Sequence, residues 1–231
     1  MRAPEACLFD LDGLLLNTEP LHGQAWREAA SHFGTNLNGD QLLELRGRRR
    51  LDCARQVITW MKTPISCDQL LAIQQPIARR LLPDAGANPG AEDLIACCQH
   101  LGVPMALVTS SSADSVELKI SNHPWIRQIG TRVLGSDPDL KAGKPAPDPF
   151  LLAAQRLGVA AHACWAFEDS VAGSHAAIAA GCQVWVLDPD SRTSARLGSA
   201  EADAWTRINS LHDAVEPLRA WACNQKLSTD D

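Results

Sequence analysis

Between residues 91 and 188 the chain repeats one pattern three times: a helical stretch, a glycine, then a short apolar run that ends in polar residues. The first unit is 91–101, Gly102 and MALVT, running into Ser110, Ser111 and Ser112. The second is 147–157, Gly158 and CWAF, running into Glu168 and Asp169. The third is 171–180, Gly181 and VWVL, running into Asp188. Glycine just past a helix end is the usual way to stop a helix and turn the chain. Helix alternating with strand then leaves few topologies, because right-handed crossovers bring the strands into one parallel sheet with helices on its faces. An α/β fold with a doubly wound parallel sheet follows, and every strand of it ends on the same edge.

The N-terminal run ACLFDLDG supplies a further strand to that sheet. Residues 6–9 have the length and composition of a buried strand, and Asp10 falls where such a strand leaves the sheet, facing the crevice in which open α/β sheets bind ligands. In an extended segment Asp10 and Asp12 share a side while Leu11 points into the core. Taken alone, the run also reads as a strand followed by an Asp-Gly turn. It does not read as a calcium loop, since Gly13 comes directly after the second aspartate.

The same edge collects Thr109 with Ser110 and Ser111, and Glu168 with Asp169; Lys144 lies nearby in the loop GKPAPDPF. Singly, each has an ordinary explanation as a helix cap, a first-turn acid or a solvated lysine. Jointly they form a chemical set. Several carboxylates in one crevice repel unless a cation lies among them, and oxygen donors without thiols or paired imidazoles suit Mg²⁺, at about 2.0–2.1 Å. A hydroxyl and an ammonium beside that ion are what a phosphate dianion requires.

Residues 17–88 have a different texture. Thr18 and Pro20 open a helix running to about Phe33, with Leu21, Ala25, Ala29 and Phe33 on one face, and Gly34 stops it. Helical periodicities follow over 42–45, 51–61 and 70–82 with no strand among them. Pro76 inside the last predicts a kink or two short helices. The turn Asn88-Pro89-Gly90 closes the segment, so the expected division is a core of 1–16 plus 89–231 and a small helical insertion of 17–88. A last helix is expected over 210–221, with Ser210 as its cap.

Composition excludes several function classes. A net charge of −6 over 231 residues gives no basic footprint for nucleic acid or an acidic membrane, with Arg46 and Arg48 to Arg50 as a local exception. No apolar run approaches 18 residues and no signal-peptide pattern is present, so no membrane span is expected. The eight cysteines lack metal-site spacing and read as reduced core residues, which points to a cytoplasmic protein. Gly143-Lys144 is followed by Pro145 and is no Walker loop, and no G-x-S-x-G elbow occurs.

In order and spacing, FDLDG at 9–13, LVTSS at 107–111, GKPAPDPF at 143–150 and FEDSVAG at 167–173 resemble the signatures of the haloacid dehalogenase superfamily of phosphotransferases. The resemblance spans the chain and implies a Rossmann-like core with the helical segment inserted as a cap after the first motif. It implies Asp10 as nucleophile, Asp12 as acid/base, and Thr109 and Lys144 as phosphate binders, with Ser110 and Ser111 on the substrate side. It implies Mg²⁺ held by Asp10, the main-chain carbonyl of Asp12, Asp169 and, as in the β-phosphoglucomutase-like branch, Glu168. His22 and Arg50 stand at positions similar to substrate-side residues of that branch. The expected activity is hydrolysis of a small soluble phosphate monoester (sugar, polyol or nucleoside phosphate) through an aspartyl phosphate, by a monomer. The stretch 134–150 is similar to the branch holding pseudouridine-5′-phosphatase and small sugar or polyol phosphatases. A phosphomutase, or a catalytically idle regulatory protein on the same fold, are the alternatives.

Overall fold

The structure, a computed structural model, describes residues 3–197 and 203–228. Its strands in chain order are β1 (Ala6–Phe9), β2 (Met105–Val108), β3 (Thr131–Val133), β4 (Cys164–Glu168), β5 (Gln183–Leu187) and β6 (Trp205–Ile208). They form one sheet in the order β3-β2-β1-β4-β5-β6, with every pairing parallel. This is the doubly wound arrangement, whose strand order reverses between β1 and β4 and opens a crevice there. Phe9 pairs with Leu107 on one side and Phe167 on the other, so the residues that follow β1, β2 and β4 emerge side by side at that crevice.

Both faces of the sheet are covered, which is why its central strands are continuously apolar. Alternation along β1 sends Cys7 and Phe9 to one core and Ala6 and Leu8 to the other. The first core lies under α5 (Ala91–Leu101) and α9 (Val215–Ser228); α6 (Ala113–Lys119) adds Val116 to it. The second lies under α7 (Asp148–Leu157) and α8 (Val171–Ala179). Phe9 and Phe167 stack across the strand pair with ring centroids 4.9 Å apart. Gly102 and Gly158 end α5 and α7 as the repeat predicts.

Between β1 and α5 the chain forms α1 (Glu19–His32), α2 (Gly39–Leu45), α3 (Arg50–Trp60) and α4 (Cys67–Leu81). These helices bury their own apolar cluster, including Trp26, Ala29, Leu45, Val57 and Leu70. Three expectations need correction here. Helix α4 is one helix through Pro76 and not two short ones. A capping box at Ser66 and Gln69 nucleates it, and the buried stripe Leu70, Gln74 and Ala78 outweighs the one backbone hydrogen bond that proline forfeits. Thr18 is the N-cap residue of α1 as expected, but its hydroxyl makes no cap bond and donates to Asp12 instead. The last helix is preceded by a 3₁₀ turn over Leu211–Ala214, and it is this turn that Ser210 caps through the His212 N–H.

β3 and β6 were not expected. Each lies at a sheet edge and reads TRV or WTRI, with polar residues among the apolar ones, so neither has the apolar run that marks the central strands.

Candidate active site

Asp10 follows β1 directly, its N–H donating to the Phe167 carbonyl at 3.1 Å, and its side chain is almost wholly buried. Its Oδ1 accepts from Lys144 Nζ at 2.5 Å. The same ammonium donates to Glu168 Oε1 at 2.5 Å and to the Val108 carbonyl at 2.9 Å, so its three protons have three acceptors. Glu168 Oε2 accepts from Ser170 Oγ at 3.1 Å. Asp169 Oδ1 is buried and has no hydrogen-bond partner among the described residues. Asp10, Glu168 and Asp169 each bring an oxygen within 4.8 Å of the others. Gly13 makes that approach possible: its φ is +86°, and a Cβ there would lie 2.1 Å from Asp169 Oδ2.

This cluster holds more negative charge than Lys144 can offset. Burial pushes the Asp10 carboxyl up to about 8 against the pull of Lys144, with Glu168 and Asp12 adding to the rise. Burial likewise raises Asp169 well above the carboxylate range, helped by Glu19 and Asp10. The orphaned Asp169 oxygen and the all-oxygen donor set fit a hard divalent cation such as Mg²⁺.

Asp12 is held differently. Its Oδ1 accepts from Thr18 Oγ1 at 2.8 Å, lies 3.0 Å from His22 Nε2, and is 2.6 Å from Lys119 Nζ. Its Oδ2 accepts from Lys119 Nζ at 2.7 Å and Ser111 Oγ at 2.9 Å, with Thr109 Oγ1 at 3.5 Å. Ser111 Oγ in turn accepts from Lys119 Nζ at 2.7 Å. Burial alone would raise Asp12, but Lys119 and His22 outweigh it and hold the carboxyl well below its ordinary range.

Above these groups lies a cavity of about 1060 Å³, with Asp10, Asp12 and Thr109 to Ser112 on one side and α1, α2, α3 and α4 contributing the other. The loop between α2 and α3 touches the sheet edge: the Gly47 carbonyl accepts from Ser110 Oγ at 2.9 Å. Gly47 (φ +72°) sits so close that a Cβ would be 2.1 Å from Ser170 Oγ. Arg46 pairs with Glu19 at 2.9 Å, and Arg50 Nη2 reaches Ser115 Oγ at 3.5 Å.

Of the expected site residues, Asp10, Asp12, His22, Arg50, Thr109, Ser110 and Ser111 line this cavity, while Lys144, Glu168 and Asp169 do not line it and join the set through Asp10; their partners sort them further. Asp10, Lys144, Glu168 and Asp169 are one group. Asp12, Thr109, Ser111 and His22 are a second, in which Ser111 and His22 bond Asp12. Ser110 bonds the α2–α3 loop, and Arg50 lies against α6. Two residues were missed. Lys119 has no solvent exposure and makes the closest contacts to Asp12; the available signal was a lysine lying between Val116 and Ile120 on a buried helix face. Gln74 lines the cavity with 1% exposure; the signal was a polar residue at helical spacing between Leu70 and Ala78.

The chain is similar to proteins already known. A family model described as haloacid dehalogenase-like hydrolase matches residues 4–181. A probable pseudouridine-5′-phosphatase of Drosophila melanogaster is 37% identical over 198 residues, covering 84% of this chain and 85% of that protein. The fructose-1-phosphate phosphatase YqaB of Escherichia coli (strain K12) is 34% identical over 174 residues, covering 75% and 91%. The crystal structure of CbbY from Rhodobacter sphaeroides in complex with phosphate is similar at a TM-score of 0.74 and 26% identity, over 90% of this chain and 95% of that one.

Proposed function

The chain belongs to the haloacid dehalogenase-like hydrolase family, and on that premise we propose that it is a Mg²⁺-dependent phosphatase of small phosphorylated metabolites that works through an aspartyl phosphate on Asp10. The observation that carries the reading is the placement of Asp10: a buried carboxylate at the end of β1, facing the cavity, with Lys144 Nζ 2.5 Å away and Asp12 two residues on. Residues 17–88 act as the cap over a core of 1–16 with 89–231.

Uncatalysed hydrolysis of a phosphate monoester is among the slowest reactions known, and enzymes can accelerate it by up to about 10²¹-fold. A carboxylate nucleophile divides that one step into two. In the first, an Asp10 oxygen attacks phosphorus while Asp12 gives a proton to the departing alkoxide. In the second, Asp12 takes a proton from water as the water oxygen attacks phosphorus, releasing phosphate and restoring Asp10. Asp12 starts as a carboxylate because of Lys119 and His22. A substrate dianion arriving beside it favours its protonated form, which the first step uses. We assign Thr109 Oγ1 and Lys144 Nζ to the phosphate oxygens; the three Lys144 protons are held by Asp10, Glu168 and the Val108 carbonyl, so Lys144 reaches phosphate by giving up one of these acceptors. Asp10, Glu168, Asp169 and the Asp12 main-chain carbonyl are the residues we assign to Mg²⁺, which supplies charge neutralisation for two approaching anions.

Phosphate release from p-nitrophenyl phosphate and from a panel of phosphorylated metabolites tests the proposal. Hydrolysis should require Mg²⁺, vanish with EDTA, and fall to at most a few per cent in Asp10→Asn, while Asp12→Asn slows it by roughly 10²–10⁴-fold. Wild-type turnover in Asp10→Asn, or after exhaustive chelation, would refute it. With β-glucose 1-phosphate and a trace of glucose 1,6-bisphosphate, free phosphate should appear faster than glucose 6-phosphate; the reverse order identifies a mutase.

A further inference from the structure

We infer that Gln74 on α4 reads a hydroxyl group on the organic part of the substrate, which makes the preferred substrate a hydroxylated phosphate monoester. This inference rests on the phosphatase reading of the same cavity.

Gln74 breaks the pattern of its own helix. The buried stripe of α4 runs Leu70, Gln74, Ala78, and α4 packs against α1, so an apolar residue would serve the stripe at the middle position. Instead an amide stands there with 1% exposure, and its Oε1 has no hydrogen-bond partner among the described residues. A buried acceptor left unpaired is destabilising, and residues that break a local rule at such a cost concentrate at functional sites. Gln74 also lines the 1060 Å³ cavity, together with Asp10 and Asp12. The missing partner therefore comes from the ligand.

The chemistry of that partner follows from the atom that lacks it. An amide oxygen accepts, so it needs a donor. A carboxylate or a second phosphate has only acceptors to offer at neutral pH, and is a poor match. An ammonium donates, but Arg48, Arg49, Arg50 and Arg192 line the same cavity and oppose a second cation. A neutral hydroxyl remains, as carried by sugar, polyol and nucleoside phosphates, and the cavity has room for any of the three.

The test compares kcat/KM of the wild type, Gln74→Met and Gln74→Glu in Mg²⁺ on three kinds of phosphate ester. These are hydroxylated esters (ribose 5-phosphate, glycerol 3-phosphate, a nucleoside 5′-phosphate), an alkyl phosphate, and p-nitrophenyl phosphate. Methionine keeps the length and removes the acceptor; glutamate keeps an acceptor. The wild type should prefer its best hydroxylated ester over the alkyl phosphate. Gln74→Met should lose about ten- to a hundredfold of that preference, measured as the ratio of the two kcat/KM values, and Gln74→Glu should retain most of it. The melting temperature of Gln74→Met should be equal to or above the wild type's, since a purely structural amide would lower it on removal. An unchanged ratio in Gln74→Met, with the wild type active, overturns this inference and leaves the phosphatase reading standing. Absence of hydrolysis by the wild type on every ester overturns both.

Discussion

Lys119 and Asp12 offer a test of the site's construction that does not depend on turnover. Lys119 has no exposed side-chain surface, and its ammonium meets both Asp12 oxygens, at 2.6 and 2.7 Å. Removing one partner of a buried pair costs about 3–5 kcal/mol, because the other charge is stranded. In Lys119→Met the stranded group is Asp12, which keeps Thr18, His22 and Ser111 and is 14% exposed, so the lower end of that range applies, about 3 kcal/mol. At roughly 2–4 °C per kcal/mol for a chain of this size, the melting temperature should fall by about 6–12 °C. Asp12→Asn strands a fully buried ammonium with Ser111 Oγ as its remaining side-chain acceptor, so its cost should be at least as large. The double variant leaves an amide beside a thioether and no buried charge. It should therefore be more stable than either single variant, with a coupling of about 3 kcal/mol. Urea denaturation of all four proteins in EDTA measures the cycle without interference from a metal. Single-variant losses that add in the double variant to within about 0.5 kcal/mol would refute the pairing as the source of stability.

Two further outcomes follow from the carboxylate cluster. Gly13→Ala places a Cβ 2.1 Å from Asp169 Oδ2 at a φ of +86°, so it should weaken Mg²⁺ binding by more than about tenfold, read by isothermal titration; an unchanged Kd would show that Asp169 can move aside without loss. Asp10 sits at about 8 through burial, and Asp169 is raised in the same sense. Below that pH the metal-free protein holds protons there that Mg²⁺ must displace, so affinity should rise with pH up to about 8 and then level, with proton release seen as a dependence on buffer ionisation enthalpy. The sign for stability is the opposite: the folded state binds more protons than the unfolded one between the ordinary carboxylate pKa and about 8, so metal-free stability from Asp10 declines as pH rises through that window. Mg²⁺ affinity independent of pH between 6 and 9 would contradict the cluster's electrostatics.

The core was legible because each of its signals is local. The strands β1, β2, β4 and β5 announce themselves as apolar runs, and the residues that follow them belong to one edge by topology alone, which is how Asp10, Thr109 and Glu168 could be placed together before any coordinates. The edge strands β3 and β6 are short and partly polar, so tertiary pairing and not composition makes them strands. Pro76 suggests a break because its local cost is visible in the sequence, while the packing of α4 on α1 that keeps the segment one helix is not. Thr18 was read as a helix cap, the commonest use of a threonine there, and its actual partner, Asp12, is set by how the chain turns after β1.

The two polar residues missed, Lys119 and Gln74, carry the same signature: a hydrophilic side chain set in the buried stripe of a helix. Their surroundings separate what they do. Lys119 finds its acceptors 107 and eight positions away, on Asp12 and Ser111, and both contacts lie within the protein; it belongs to the frame that orients Asp12, the proposed acid/base, before any ligand arrives. Among the described residues Gln74 Oε1 has no hydrogen-bond donor, although it is almost as deeply buried. Burial forces a polar atom to find a partner, so a group satisfied internally reports on the catalyst and one left unsatisfied beside a cavity reports on the substrate. By that reasoning the sheet edge carries the proposed reaction, and α4 the proposed choice among phosphate esters.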